Sequence, residues 1–475
     1  MRAGASQSRI QAPVKRHVSN QRKRRLGAER LEDRQLLAGD VSASVVRGTL
    51  NITGDNADNF VEVFATGTPG QFVVEGFTDN HGVNTTINHS TNPQTFSGVT
   101  NINVSLKRGD DFFGFENGTV AGNMTIDMGE GNNEVNVGIP KLVSVTASTA
   151  TVKPLLVTSV LSSATINGSL CINLGSGNGW LIEGSTHVKG SESVSACDGN
   201  DKIEFIDTGG VQGGNTIGNG VTVDHDLTVN LGGGSNYLDA YDLAVCGCFQ
   251  VNGSGENDID LAVLNVAKDA VFNLCGRGNQ TFSLEPEPTL GTILGAQQNH
   301  IGGDLVVNTG CGNDDITESS LFVGGSNKIN TDGGNDDVTI GEPPAAGPEE
   351  INYQVTVGKD LIINLGCGTD SATLDYVRVS RNLNITQGLG NSTISLTDVY
   401  QAQSLKILTD GGQDHVSLNA TAFGTALIDL GSGNDSLSVT NTTITTSTFE
   451  GGTGVNTYTD GGANSLLNLT KRHFT

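Results

Sequence analysis

The 475-residue chain carries 65 glycines, only 16 Phe, 6 Tyr and 1 Trp, and a net charge of -25. Hydrophobic content of 36% falls below that of an ordinary compact globule, and a strongly acidic surface repels nucleic acid and anionic lipid while keeping the chain soluble. No run of 18 apolar residues occurs, so no transmembrane helix is expected.

In chain order, the charge divides first. Residues 1–39 hold 10 Lys and Arg against 3 Asp and Glu, whereas the remainder holds 16 against 48. The leading segment is basic and polar through Arg22-Lys23-Arg24-Arg25 and lacks the apolar stretch of an ordinary secretory signal. Its Leu31-Glu32-Asp33-Arg34-Gln35-Leu36-Leu37 resembles the N-terminal Leu-Glu-Pro-Arg-x-Leu-Leu segment of many large surface or secreted proteins of planctomycete bacteria, with Asp33 in place of the proline. The resemblance covers residues 22–40 and implies export to the envelope or the medium, with removal near Ala38. The expected organisation is therefore a basic export segment, 1–39, followed by one long domain, 40–475.

That domain is a repeat. A turn of the form Gly-x-Gly-Asn-Asp recurs between short alternating strands, as in Gly310-Cys311-Gly312-Asn313-Asp314 and Gly431-Ser432-Gly433-Asn434-Asp435. Its second glycine falls at positions from Gly109 to Gly454 with intervals of 22, 46, 22, 35, 21, 23, 34, 22, 34, 22, 22, 21 and 21 residues. Gly54-Asp55-Asn56 is the expected first turn. A unit this short is no propeller blade, and the frame of leucine-rich repeats is absent, so the reading is an all-β fold: a single-stranded parallel β-helix (β-solenoid) of about 22 residues per coil. The 46-residue interval reads as two units with a degenerate turn near residue 153, and roughly 18 or 19 coils are expected between residues 41 and 465. Glycine supplies positive φ or close backbone approach, and Asn132, Asn178, Asn200, Asn279, Asn313, Asn335, Asn391 and Asn434, each following the marker glycine, are expected to stack and pass hydrogen bonds from coil to coil.

Three intervals exceed one unit by about 12 residues, which places inserted loops near 208–220, 285–303 and 341–352, all after the strand that follows the turn. Insertions at one repeat position project from one side of a solenoid, where partners often bind. Seven cysteines are expected as small side chains in the interior, with a disulfide between neighbouring coils as the alternative. The terminal Leu466-Leu467-Asn468-Leu469 with Lys471-Arg472-His473 reads as a polar-ended cap.

The turns also resemble the calcium-binding nonapeptide of haemolysin-type repeats, Gly-Gly-x-Gly-x-Asp-x-hydrophobic-x, although one turn per 22 residues is not the tandem arrangement of that family. A different calcium geometry stays open, because Asp314, Asp336 and Asp370, and likewise Asp414 and Asp435, fall on successive coils where like charges repel. Solvation at an exposed edge is the competing expectation. Asn330-Thr331-Asp332 with Asp336-Asp337 is similar to the polygalacturonase carboxylates, yet both lie in one turn, and the family's Gly-His-Gly and Arg-x-Lys are missing. No zinc-protease, serine-hydrolase or phosphate-loop motif occurs, and His187, His225, His300 and His415 have no obvious partner in sequence. The expected function is an exported, non-enzymatic scaffold with a structural, adhesive or surface-layer role, with polysaccharide or other surface proteins as partners. The alternative is a carbohydrate-active β-helix enzyme, a lyase or hydrolase.

Overall fold

Alternation of apolar and polar residues with period two puts one face of every short strand inward, and glycine-rich corners bring the chain round to stack on itself. The computed structural model describes residues 39–78, 84–139, 163–207, 220–286, 298–342 and 354–475, together with a short hairpin, Val211–Gln212 with Asn215–Thr216. The chain divides into two units, Met1–Leu37 and Ala38–Thr475, and the coils form the second. The basic segment and its motif lie outside the described residues.

Each coil contributes one strand to each of three parallel sheets. One coil runs from Leu361–Asn364 in the first sheet, through the turn at Gly366–Gly368, to Asp370–Asp375 in the second. It passes a single corner residue, Tyr376, to Val377–Val379 in the third sheet, and Asn382–Leu389 then starts the next coil. Apolar residues stack in register, so that Leu361 lies over Leu383 and Ile363 over Ile385, and among the described residues the pairing slips only near the glycine turns after Asn173, Asn230 and Asn273. The architecture is thus a parallel β-solenoid, with no helix among the described residues. The core is one unbroken column of fully buried aliphatic side chains from Val41 to Phe449, thickened by the Phe249–Phe272–Phe282 ring stack with centroids 5.5 and 4.8 Å apart.

In the first sheet, fifteen successive parallel pairings among the described residues link Thr49–Thr53 to Leu469–Arg472, making sixteen rungs. At about 4.8 Å per step the stack is roughly 70 Å long. The count of 18 or 19 coils is corrected by the long intervals: Thr49–Thr53 pairs directly with Asn101–Ser105 and Met124–Asp127 with Leu170–Asn173, so each of these intervals is one coil. The turn placed near residue 153 falls outside the described residues. At the N-terminal end Phe60–Ala65, Gln71–Gly76 and Gln94–Ser97 form an antiparallel cap. In the last coils the corner between third and first sheets straightens, and Ala402–Gly411, Ala422–Asp429 and Thr443–Glu450 run as long single strands. The interval there shortens to 21 residues.

The corner between second and third sheets is sharper than the sequence indicates. A single left-handed residue makes it in most coils: Ser185, Asp242, Val263, Ser320, Tyr376, Asp398, Ala420 and Asn441, with φ between 48° and 60°. Each L residue held this way costs about 1–2 kcal/mol, which the stacked strands on either side offset. The insertions all leave at this same corner. They follow Val137, Ile206, Leu284 and Ile340 and return at Ala164, Val221, Asn299 and Val355, so Asn299–Ile301 is a third-sheet strand.

The seven cysteines are not interior. Six are exposed, Cys248 is half-buried, and none is in a disulfide. Alternation explains the reversal at Cys171, which stands between the inward Leu170 and Ile172.

The marker glycines are fixed by close approach as well as by φ. Gly412 has φ of 150°, and a Cβ there would sit 1.9 Å from the Gly390 carbonyl oxygen one rung below, whereas a Cβ on Gly333 would meet nothing nearer than 3.6 Å. Gly412→Ala is expected to cost about 3 kcal/mol or more and Gly333→Ala close to nothing, read as the change in thermal midpoint by circular dichroism. Equal midpoints for the two variants would refute this account of the turn.

Candidate functional site

The two residues after each marker glycine form two columns that run the length of the stack. Successive residues of an extended chain send their N–H groups to opposite neighbours, so the columns are bonded in opposite directions. In the outer column a side chain accepts from the next coil: Asn178 N–H donates to Asn132 Oδ1 at 3.1 Å, Asn200 N–H to Asn178 Oδ1 at 2.9 Å, and Asn335 N–H to Asn313 Oδ1 at 2.8 Å. The expected asparagine ladder is present, and the donor to each Oδ1 is a backbone N–H rather than another side-chain amide.

In the inner column a backbone N–H donates forward to the side chain of the following coil. Gln280 N–H bonds Asp314 Oδ1 at 2.8 Å, Asp314 N–H bonds Asp336 Oδ1 at 3.0 Å, and Asp336 N–H bonds Asp370 Oδ1 at 3.0 Å. The series resumes as Ser392 to Asp414 at 2.8 Å, Asp414 to Asp435 at 3.0 Å, and Asp435 to Asn456 Oδ1 at 2.9 Å. Asn456 ends it by donating to the carbonyls of Gly451 and His473.

The five aspartates singled out as calcium ligands therefore stack as expected, but inward. Asp314, Asp336, Asp370, Asp414 and Asp435 are each 3% exposed or less. The second oxygens, Oδ2, of Asp414 and Asp435 have no hydrogen-bond partner among the described residues, while Thr309, Thr331 and Gln387 lie beside the carboxyls of Asp314, Asp336 and Asp370. Period two gave this away: in Asp435-Ser436-Leu437-Ser438-Val439 the aspartate shares the parity of Leu437 and Val439. Calcium takes six to eight oxygens, whereas each carboxylate here is buried with one oxygen already engaged by a backbone N–H. This donor set does not fit a calcium ion. Burial instead pushes the carboxyls up, Asp336 to about 6, Asp201 to about 6 and Asp111, which holds the Asn59 N–H, to about 7.

Two coils carry further acids across the interior. Glu183, at the inward end of Trp180–Gly184, and Glu192, which opens Glu192–Ala196, are 0% and 1% exposed. Burial raises both, and Glu192 is raised again by the Glu183 charge. Nine residues apart in the same way, Glu318 and Asn327 replace acid with amide: Asn327 Nδ2 donates to Glu318 Oε2 at 2.5 Å, and burial raises Glu318 to about 7. Neither pair announced itself in the sequence, because the partners sit on different strands.

The remaining sequence candidates separate. Asp336 points inward and Asp337 outward, so the polygalacturonase-like carboxylates do not share a face. His187 Nε2 meets Asp224 at 2.9 Å, His300 stacks on Phe322 at 5.1 Å, and His415 Nδ1 meets Ser436 at 2.6 Å, all on the outside. Trp180 donates to Glu204 at 2.7 Å while the Lys202 ammonium lies over both the Trp180 and Tyr237 rings. Among the described residues no three His, Cys, Asp or Glu side chains converge on one point, and no helix is long and apolar enough to cross a membrane. No protein-family model matches the chain, and no curated protein matches it.

A carboxyl with a raised folded pKa contributes its full stability below its unfolded value, near 4, and loses that contribution as pH rises through the folded value. With Asp336, Asp201, Asp111 and Glu318 at about 6 to 7, the thermal midpoint is expected to be higher at pH 5 than at pH 8. Asn133, Asn236 and Asn257 already hold the inner column in other coils. Asp336→Asn should therefore match the native chain at pH 5 and exceed it at pH 8, while a midpoint independent of pH between those values would contradict protonated interior carboxyls.

Proposed function

We propose that the protein is an exported, non-enzymatic scaffold with a structural or adhesive role at the cell surface. The observation that carries this is where the polar chemistry goes. The asparagines, aspartates and serines of the turns are engaged in bonding coil to coil, and the acids that alternation directs inward are sealed in the core rather than opposed across a cleft. General acid and base carboxylates must face a substrate together, and the turn acids do not. The Leu31–Leu37 motif and the acidic, soluble surface support export. Rungs that contact only their neighbours suit a spacer, since length then grows by simple repetition.

Fractionation of producing cells, probed with antibody to residues 40–475, should find the protein in the envelope or the medium, shortened at its N-terminus near Ala38. An intact chain confined to the cytosol would overturn the export reading, and release of reducing ends from a panel of polysaccharides would overturn the non-enzymatic one. Because the buried aspartates do not offer a calcium donor set, millimolar calcium after EGTA should leave the thermal midpoint within about 1 °C. A rise of many degrees would mean that the ion binds the folded state preferentially.

A further inference from the structure

Two rungs of the third sheet that carry no insertion lie beneath a cavity. Insertions leave after Ile206 and Leu284, and their coils return as Val221–Val223 and Asn299–Ile301 in the third sheet. Between these lie two rungs without insertion, Leu243–Val245 and Asn265–Val266, whose corners are the single residues Asp242 and Val263. Three rung steps of about 4.8 Å make the bare interval about 14 Å wide. A cavity of about 350 Å³ opens over it, lined by Asp242, Ala244, Val263, Asn265, Gln298 and His300. That volume lies at the lower end of the range for small-molecule sites.

The floor is held rigidly. Val263 is β-branched yet left-handed, with φ of 57°, a conformation such residues take only under constraint. The next residue, Leu264, donates its N–H to Oδ1 of the fully buried Asn299 at 2.8 Å. Ala244 offers almost no side chain, so depth is available between its neighbours. At one end the His300 ring is kept flat by stacking on Phe322, with 15° between planes.

We propose that this groove binds one or two units of a neutral glycan chain. The lining mixes a carboxylate, two carboxamides and an imidazole, a set that both donates and accepts, and vicinal sugar hydroxyls do the same. Asn265 and His300 make no side-chain hydrogen bond among the described residues, so their polar atoms are open to a ligand. Asp242, with Asp207 close enough to raise it further beyond the effect of burial, repels polyanions, and no Lys or Arg lines the cavity. The proposal rests on the scaffold reading and gives its adhesive side a ligand.

The test is titration of residues 40–475 with neutral gluco-, manno-, galacto- and xylo-oligosaccharides of six units, by calorimetry or ligand-observed NMR. At least one should bind, and Ala244→Trp, which fills the floor, should weaken it by about tenfold or more. Ser417→Trp, on the outer face of the second sheet, should leave binding unchanged, and circular dichroism checks that both variants fold. Binding of none of the four, equal binding by Ala244→Trp, or tighter and salt-sensitive binding of glucosamine oligomers would each overturn the proposal. A failure here leaves the rod and its export, which are read by fractionation, untouched.

Discussion

Everything in this fold follows from stacking like on like at one strand spacing. A coil of about 22 residues cannot bury its apolar face alone, so each rung is stable only against its neighbours, and whatever occupies a corner must satisfy the same corner above and below. Backbone groups within strands are matched by the ladders, but those at corners are not, and an unmatched buried N–H costs about 1–3 kcal/mol. The columns that follow the marker glycines answer that requirement. Asn, Asp, Gln or Ser recurs there because a short side-chain oxygen reaches one rung, about 4.8 Å, to a backbone N–H.

The same requirement explains why acids stand in the core. Asp336 and Asp435 do for their neighbours what Asn257 and Asn456 do elsewhere, and in a dry interior the protonated acid is close to an isostere of the amide. The column tolerates either residue, so turn aspartates follow from a hydrogen-bond geometry rather than from a ligand. Glu318 with Asn327 extends this logic across the coil, where an amide donates to an acid in place of an aliphatic pair.

Much of this was legible in the amino-acid order. The second glycine of each turn set the period, the strand parities and the side from which insertions leave, because a Cβ at Gly412 has nowhere to go. Polar residues in turns usually face water, so Asp314 to Asp435 read as ligands or solvated edge residues, whereas the parity of Leu437 and Val439 carries the contrary signal. The interval from Gly131 to Gly177 looked like two coils because twice 22 is close to 46, and only the pairing of Met124 with Leu170 separates a long excursion from an extra rung. The one-residue corner left no mark, since Ser185, Val263, Tyr376 and Ala420 share no chemistry; sheet geometry imposes their backbone conformation from outside. The groove over Ala244 was invisible for a related reason, since its lining residues Asp242, Asn265 and His300 come from three successive coils.

The direction of the hydrogen bonds has a mechanical side. Strands lie across the rod, so the bonds between rungs point along it, and a pull on the two ends loads them in tension, one rung after another, rather than all at once in shear. A rod of this kind yields by peeling. Each coil released adds about 22 residues of slack, roughly 70 Å of extended chain for one 4.8 Å step lost. At an anchored surface such a molecule would act as a fuse of graded extensibility, stiff under compression and long under strain.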